Sequence, residues 1–178
     1  MAKGIRESLL PALDGDGCDA VTHERPSSLQ QVVAAGIASI ITMCVALVML
    51  DIERVPYLLA SLGGSCVILF AIPDNVMAQP RSFVGGHLVG TIVGLMFSHA
   101  FGGGIVSMAC AVGVAIALMM VTNTIHSPAG ADPLIVMAAH PGWSFVAAPL
   151  GLGLGILFVG AMLYHRLILR RVYPVHWL

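Results

Sequence analysis

The stretch TNTIHSPAGADPLIVMAAHPGW, residues 122–143, decides the fold of this chain. Its apolar part, residues 134–139, is far shorter than the ~20 residues that a helix needs to cross a bilayer. Prolines at 128, 133 and 141 interrupt the stretch, and Asp132 places a carboxyl group within it. Long apolar runs flank it on both sides, so we expect a broken segment inside a membrane domain.

The long apolar runs are uncharged and cover residues 29–50, 83–101, 105–121 and 143–164. Hydrophobic residues make up 58% of the chain and charged residues 10%, with a mean hydropathy of +0.94. A soluble domain carries about 25% charged residues, so this composition excludes a soluble enzyme, a nucleic-acid-binding protein and a disordered segment. The net charge of −1 adds no attraction to a polyelectrolyte.

A second interrupted run, residues 55–72, contains SLGGSCVILFA at 61–71. Because glycines disfavour helix, we expect two short halves there. The run aligns with SPAGADPLIVM, residues 127–137, since both read Ser, two residues and Gly before a short aliphatic run. Each lies between two spans, and such three-crossing repeats are inverted in many transporters. The prediction is an all-α membrane protein with four full transmembrane helices, two broken or half helices and a possible inverted 3+3 repeat. The alternative is that the two runs resemble each other by chance.

The charged residues of this chain divide it into three parts. A polar tail, residues 1–28, lacks the apolar core of a cleavable signal. It precedes the membrane domain, residues 29–165, and a basic and aromatic tail, residues 166–178, follows. Basic residues stand before the first span and after the last: Lys3, Arg6, Arg25, Arg166, Arg170 and Arg171. The positive-inside rule then places both termini in the cytoplasm of a bacterial inner (plasma) membrane, with an even number of crossings.

Ser127 and Pro128 form a good start for a half-helix, because serine accepts from free amides and proline lacks one. Residues 61–65 are expected to start a second half-helix in the same way. Two converging helix N-termini would bind a small anion through their free amides and dipoles. The expected substrate-binding residues are mostly small: Ser61, Gly63, Gly64, Ser65, His126, Ser127, Ala129 and Gly130, with His126 orienting the second helix start. The alternative is that these small residues only allow close helix packing.

Four further polar residues are candidates for the pathway or its gate. Arg81 is expected at the cytoplasmic mouth, with Gln79 as a hydrogen-bond donor, where it either attracts anions or fixes the orientation of the helix. His87 lies one turn inside a span and would gate, shuttle a proton or bond to a neighbouring carbonyl, the last being favoured. Asp132 either titrates as a buried proton or cation site, or is solvated, and we favour the solvated state.

Two runs resemble the HPP family of membrane proteins: LASLGGSCVILFAIPDNVMAQPRSFVGGHLVG, residues 59–90, and HSPAGADPLI, residues 126–135. The resemblance covers about residues 55–164, and AQPR at 78–81 followed by GGH at 85–87 is its most specific part. Ser127 stands where the His-Pro-Pro motif of the family has its middle proline. The resemblance implies four transmembrane helices and, from plant and cyanobacterial members, a link to nitrite transport.

The sequence predicts a transporter or channel for a small inorganic anion, nitrite first, whose partners are that anion and the lipid bilayer. No enzymatic activity, metal, cofactor or nucleic-acid partner is expected, since the histidines lack ligand spacing. The alternatives are a cation or metal transporter using Asp132 and the histidines, and a non-transporting assembly subunit. Gly86, Gly90 and Gly94 recur every four residues, which favours close helix contact. We expect a homo-oligomer, a dimer or trimer, with packing inside one subunit as the alternative.

Overall fold

A computed structural model describes residues 28–50 and 58–177, and this part of the chain is entirely helical and loop. The α-helices are α1 (Leu29–Met49), α2 (Leu58–Ala71), α3 (Pro80–Phe101), α4 (Ile105–Thr122), α5 (Asp132–Ala139) and α6 (Leu152–Leu163). Two 3₁₀ turns, Val76–Ala78 and Ser127–Ala131, precede α3 and α5. Two π-helical segments, Val146–Gly151 and Tyr164–Ile168, flank α6. Of the predicted tail, residues 1–28, all but Ser28 lie outside the described residues, as do residues 51–57 between the first span and α2.

Within the described part, four helical stretches are long and apolar enough to cross a membrane. They are Leu29–Met49, Pro80–Phe101, Ile105–Thr122 and Val146–Ile168. The 14-residue α2 and the segment 127–139 are shorter. The predicted all-α fold with four spans and two short segments is therefore confirmed. The order span, short segment, span occurs twice, while the inverted symmetry of the two halves stays a prediction.

The glycine pair in α2 does not break the helix, which corrects the expectation of two halves. α2 continues from Leu58 through Gly63 and Gly64 to Ala71. Leu62 and Leu69 are fully buried on either side of the pair. The lower helix propensity of glycine costs only about 1 kcal/mol per residue, whereas each backbone group left without a hydrogen bond inside a bilayer costs several kcal/mol. The need to keep the backbone hydrogen bonds of α2 therefore outweighs local propensity.

The glycine stripe of α3 packs against the chain's own segment 124–133. A Cβ on Gly86 would lie 2.7 Å from the Cβ of His126, and one on Gly94 would lie 2.8 Å from the Cα of Pro133. The same holds at Gly90, where the nearest atom is the carbonyl oxygen of Ala129 at 2.6 Å. The stripe thus serves packing within one subunit, and the homo-oligomer stays a prediction without this support.

A buried aromatic cluster joins the end of α2 to the end of the last span. The ring of His165 lies between Tyr164, at a centroid distance of 4.7 Å, and Tyr173, at 4.9 Å. Its Nε2 donates to the carbonyl oxygen of Leu69 at 2.8 Å. Burial raises the pKa of Tyr173, so its hydroxyl stays protonated and donates to the carbonyl oxygen of Ala78 at 2.6 Å. These bonds fix residues 164–173 against the loop that leads into α3.

Gln79 ties the C-terminal segment to the same loop. Its Nε2 donates to the carbonyl oxygens of Pro73 at 2.8 Å and Asn75 at 3.1 Å. Its Oε1 accepts from the backbone amides of Val175 at 2.9 Å and His176 at 3.1 Å. The side chain is buried, so its amide group joins two chain segments that are about 100 residues apart in sequence.

Gln79→Ala should lower the free energy of unfolding by about 1–3 kcal/mol, because buried backbone groups lose their partners. SDS titration of the protein in mixed micelles measures this change. His176→Ala is the matched control, since it removes an exposed side chain and keeps the backbone amide. Equal unfolding of the two variants would contradict the role of the Gln79 side chain.

Candidate functional site

Five polar side chains meet in the buried interior of the membrane domain. They are Ser61, Ser65, His87, His126 and Asp132, and none is more than 1% exposed. They come from α2, α3, the turn before α5 and the first residue of α5. All five were candidates from sequence, and the structure brings them into one hydrogen-bonded network. Ionisable groups inside a membrane domain mark substrate or ion pathways.

The carboxylate of Asp132 has a partner on each oxygen. Its Oδ1 accepts from the hydroxyl of Ser61 at 2.6 Å. Its Oδ2 lies 2.7 Å from Nδ1 of His87. Asp132 also opens α5, where the helix dipole stabilises negative charge. The expectation that Asp132 is solvated is therefore wrong, and its partner lies 45 residues away in sequence.

His87 uses both ring nitrogens inside the network. Its Nδ1 contacts Asp132, and its Nε2 lies 2.9 Å from the hydroxyl oxygen of Ser65. We expected a bond to a neighbouring carbonyl, and the structure shows a carboxylate and a hydroxyl instead. α3 brings His87 here because Gly86 and Gly90 let the segment 124–133 approach its backbone closely.

His126 bonds to a carbonyl on one side and a hydroxyl on the other. Its Nδ1 lies 2.9 Å from the carbonyl oxygen of Met77, and its Nε2 lies 2.9 Å from the hydroxyl oxygen of Ser65. The backbone of His126 is extended, with φ −141° and ψ 106°, which turns the side chain toward α2. Phe83 packs edge-on against His126 and His87, at centroid distances of 5.3 and 5.4 Å.

The predicted pair of converging helix N-termini is not formed. Ser61 and Ser65 lie inside α2 rather than at its start. Ser127 is exposed and begins a five-residue 3₁₀ turn, in which no side chain caps the first amides. The hydroxyl of Ser61 bonds to the carbonyl oxygen of Pro128 at 3.2 Å, so this turn presents a carbonyl to α2. Hydroxyl, imidazole and carboxyl side chains, rather than free backbone amides, meet in this network.

The small residues near the network fall into two sets. A Cβ on Gly64 would lie 3.2 Å from the Cβ of Pro128, and Ala129 is fully buried. These two positions pack α2 and the 3₁₀ turn together. A Cβ on Gly63 or Gly130 would meet no atom within 4 Å. Gly130, two residues before Asp132, therefore has open space beside it. Gly63, in contrast, lies two residues from both Ser61 and Ser65 and so points to the opposite side of α2 from these hydroxyls.

The two residues expected at the mouth of the pathway lie apart from the network. Gln79 holds the C-terminal segment, as described above. Arg81 is exposed, and its Nη2 donates to the carbonyl oxygen of Thr122 at 2.9 Å. Arg81 thus joins the start of α3 to the end of α4, and both roles weighed for it at the membrane interface stay predictions.

The sequence did not reveal two parts of the site, the carbonyl group of Met77 and the ring of Phe83. A backbone acceptor leaves no trace in the sequence, and a phenylalanine in an apolar span resembles any core residue. Among the described residues, no three histidine, cysteine or acidic side chains converge as metal ligands. The network consists of hydroxyl, imidazole and carboxyl groups joined by hydrogen bonds.

The HPP transmembrane region matches residues 24–174 of the chain. Two transmembrane proteins of Dictyostelium discoideum are similar to it, at 32% identity over 67% of the chain and 34% over 68%. The aligned parts cover 45% and 42% of those two proteins, so the match spans less than half of their length. No solved structure matches the chain. Residues 24–174 include the four spans and the buried network, and the chain belongs to the HPP family of transmembrane proteins.

Proposed function

We propose that the chain is a membrane transporter for a small inorganic anion, with nitrite as the first solute to test. Membership of the HPP family is consistent with a transporter role. The observation that carries the proposal is the complete pairing of Asp132, whose oxygens bond to Ser61 and His87. This pairing determines which charge the site can offer to a solute.

The charge of the network follows from its contacts. Nδ1 of His87 and Oδ2 of Asp132 are 2.7 Å apart, and two lone pairs at that distance repel, so one proton lies between them. The pair is neutral as a unit when Nε2 of His87 also carries a proton. It does so because it lies 2.9 Å from the hydroxyl oxygen of Ser65, whose own proton goes to Nε2 of a neutral His126. The remaining titratable group of the network is His126, which is neutral or positive. When His126 is positive, the site favours an anion over a cation.

Access to the network is supported by Gly130, which is half-buried and has open space where a side chain would stand. Gly130 belongs to the turn that precedes Asp132. A small solute approaching through this space would meet hydroxyl and imidazole donors.

Gly130→Leu should reduce nitrite uptake into proteoliposomes about tenfold or more, which corresponds to about 1.4 kcal/mol of added barrier. The leucine side chain fills the open space and clashes with no neighbouring atom at its Cβ, so the fold is retained. Uptake of nitrite, nitrate, formate, chloride and divalent cations is measured in parallel. Gly113→Leu is the matched control, since Gly113 is an exposed position of α4 with the same free space.

Three outcomes oppose the proposal. Cation uptake without anion uptake would favour a cation transporter that uses Asp132 and the histidines. No protein-dependent uptake of any solute, from protein that is monodisperse in detergent, would favour an assembly subunit. Equal nitrite uptake by Gly130→Leu and Gly113→Leu would remove the assigned pathway.

A further inference from the structure

The buried network forms one continuous hydrogen-bonded chain. It runs from the carbonyl oxygen of Met77 to His126, Ser65, His87 and Asp132, with successive distances of 2.9, 2.9, 2.9 and 2.7 Å. The hydroxyl of Ser65 is its branch point, because it also lies 3.0 Å from the carbonyl oxygen of Ser61. Three groups therefore surround one hydroxyl that has a single proton to donate.

The contacts fix the proton positions when His126 is neutral. A carbonyl oxygen only accepts, so Nδ1 of His126 carries a proton and donates to Met77. The other nitrogen, Nε2, then accepts the single proton of the Ser65 hydroxyl. Nε2 of His87 must donate to the same hydroxyl oxygen. Every polar atom along the chain is then satisfied.

The same heavy-atom positions also satisfy the network with one more proton. When Nε2 of His126 is protonated, it donates to the hydroxyl oxygen of Ser65. The hydroxyl of Ser65 then rotates and donates to the carbonyl oxygen of Ser61 at 3.0 Å. Its two lone pairs accept from His126 and His87. No hydrogen bond is lost, so rotation of one O–H bond lets the site hold the added proton.

The electrostatic surroundings of His126 come from few groups. His87 on α3 faces it at a ring-centroid distance of 4.9 Å, and Asp132 on α5 acts through His87. α2 presents the two hydroxyls of Ser61 and Ser65, and Phe83 covers the rings. An added proton therefore brings one positive charge into the site, and a bound anion would neutralise it.

We propose that the network couples transport to protons: Nε2 of His126 takes up one proton with each anion, and Ser65 reorients to hold it. This inference rests on the proposed anion transport. The unit that moves is the anion plus its proton, so the cycle transfers no net charge. Uptake should follow a pH gradient and be insensitive to the membrane potential.

The test compares two driving forces in proteoliposomes with nitrite as the probe. One set of vesicles carries a pH gradient, and potassium with valinomycin holds its membrane potential at zero. The other set carries a potassium diffusion potential and has the same pH on both sides. Initial rates are compared with those of protein-free vesicles, because nitrous acid that crosses the lipid passively reaches the same final accumulation. We expect the protein to speed the approach to an accumulation of about tenfold per unit of pH gradient, and an internal pH dye should report proton entry at the same rate. Accumulation that follows the potential alone would overturn the coupling and leave anion transport standing, whereas no protein-dependent uptake would overturn both.

Ser65→Ala tests the branch point directly. Without the hydroxyl, His126 and His87 lose their shared partner, and accumulation driven by the pH gradient should fall about tenfold or more. Ser39→Ala is the matched control, because Ser39 also bonds to the carbonyl four residues earlier, at 2.8 Å on α1, outside the network. Equal accumulation by the two variants would overturn the role of Ser65. The comparison of driving forces in the unsubstituted protein does not depend on the folding of either variant.

Discussion

Gly90→Ala is expected to destabilise the membrane domain by about 3 kcal/mol, near the upper end of the usual cost of overpacking. The added Cβ would lie 2.6 Å from the carbonyl oxygen of Ala129 and 3.2 Å from the Cβ of Asp132. The first of these atoms belongs to the backbone, which cannot rotate away as a flexible side chain can. Relief requires that α3 and the segment 124–133 separate, and this separation disrupts the contacts of His87.

The measurement for Gly90→Ala is the free energy of unfolding by SDS titration in mixed micelles. Gly113→Ala is the matched control, since a Cβ at Gly113 on α4 meets no atom within 4 Å. The control should be neutral or slightly stabilising, because alanine favours helix by about 1 kcal/mol over glycine. Similar unfolding of both variants would contradict the close approach of α3 to the segment 124–133.

Asp132→Ala is expected to remove about 3–5 kcal/mol of stability, the usual cost of breaking a buried charge pair by deleting one partner. The substitution leaves the hydroxyl of Ser61 and Nδ1 of His87 without the carboxylate that both contact. Under the proposed function, nitrite uptake should fall to the level of protein-free vesicles. Unfolding in micelles and proteoliposome uptake measure the two effects separately.

The control for this substitution is Asp74→Ala, because Asp74 is an exposed carboxylate in the loop between α2 and α3. Its removal should change neither stability nor uptake beyond about 0.5 kcal/mol. Asp132→Asn keeps the shape of the side chain and an acceptor for Ser61. Full stability and full uptake in Asp132→Ala would refute the structural and functional roles of this carboxylate.

The membrane-spanning architecture could be predicted because the bilayer imposes a length and a polarity that the sequence must meet. The uncharged run at 105–121 became α4, Ile105–Thr122, and the run at 29–50 became α1, Leu29–Met49. The prolines around Asp132 correctly marked a short segment. Such features are local, so they can be read along the chain.

The arrangement of the site could not be predicted, because it depends on partners that are distant in sequence. Gly63 and Gly64 suggested a break, yet α2 is continuous, because a break inside the bilayer would leave backbone groups without hydrogen bonds. The sequence indicated a solvated carboxylate at Asp132, whereas in the structure Nδ1 of His87 lies 2.7 Å from its Oδ2. The sequence showed which polar residues lie in the membrane domain but not which of them meet.

The ties between the loop before α3 and the C-terminal segment impose an order on biosynthesis. Tyr173 bonds to Ala78, and the amides of Val175 and His176 bond to Gln79. Met77, which holds His126, lies beside these positions. A ribosome releases residues 173–176 about 100 residues after the loop, so the anchoring of the loop is completed only after all four spans have been translated. A nascent protein of this kind must therefore insert its helices first and close its interior afterwards.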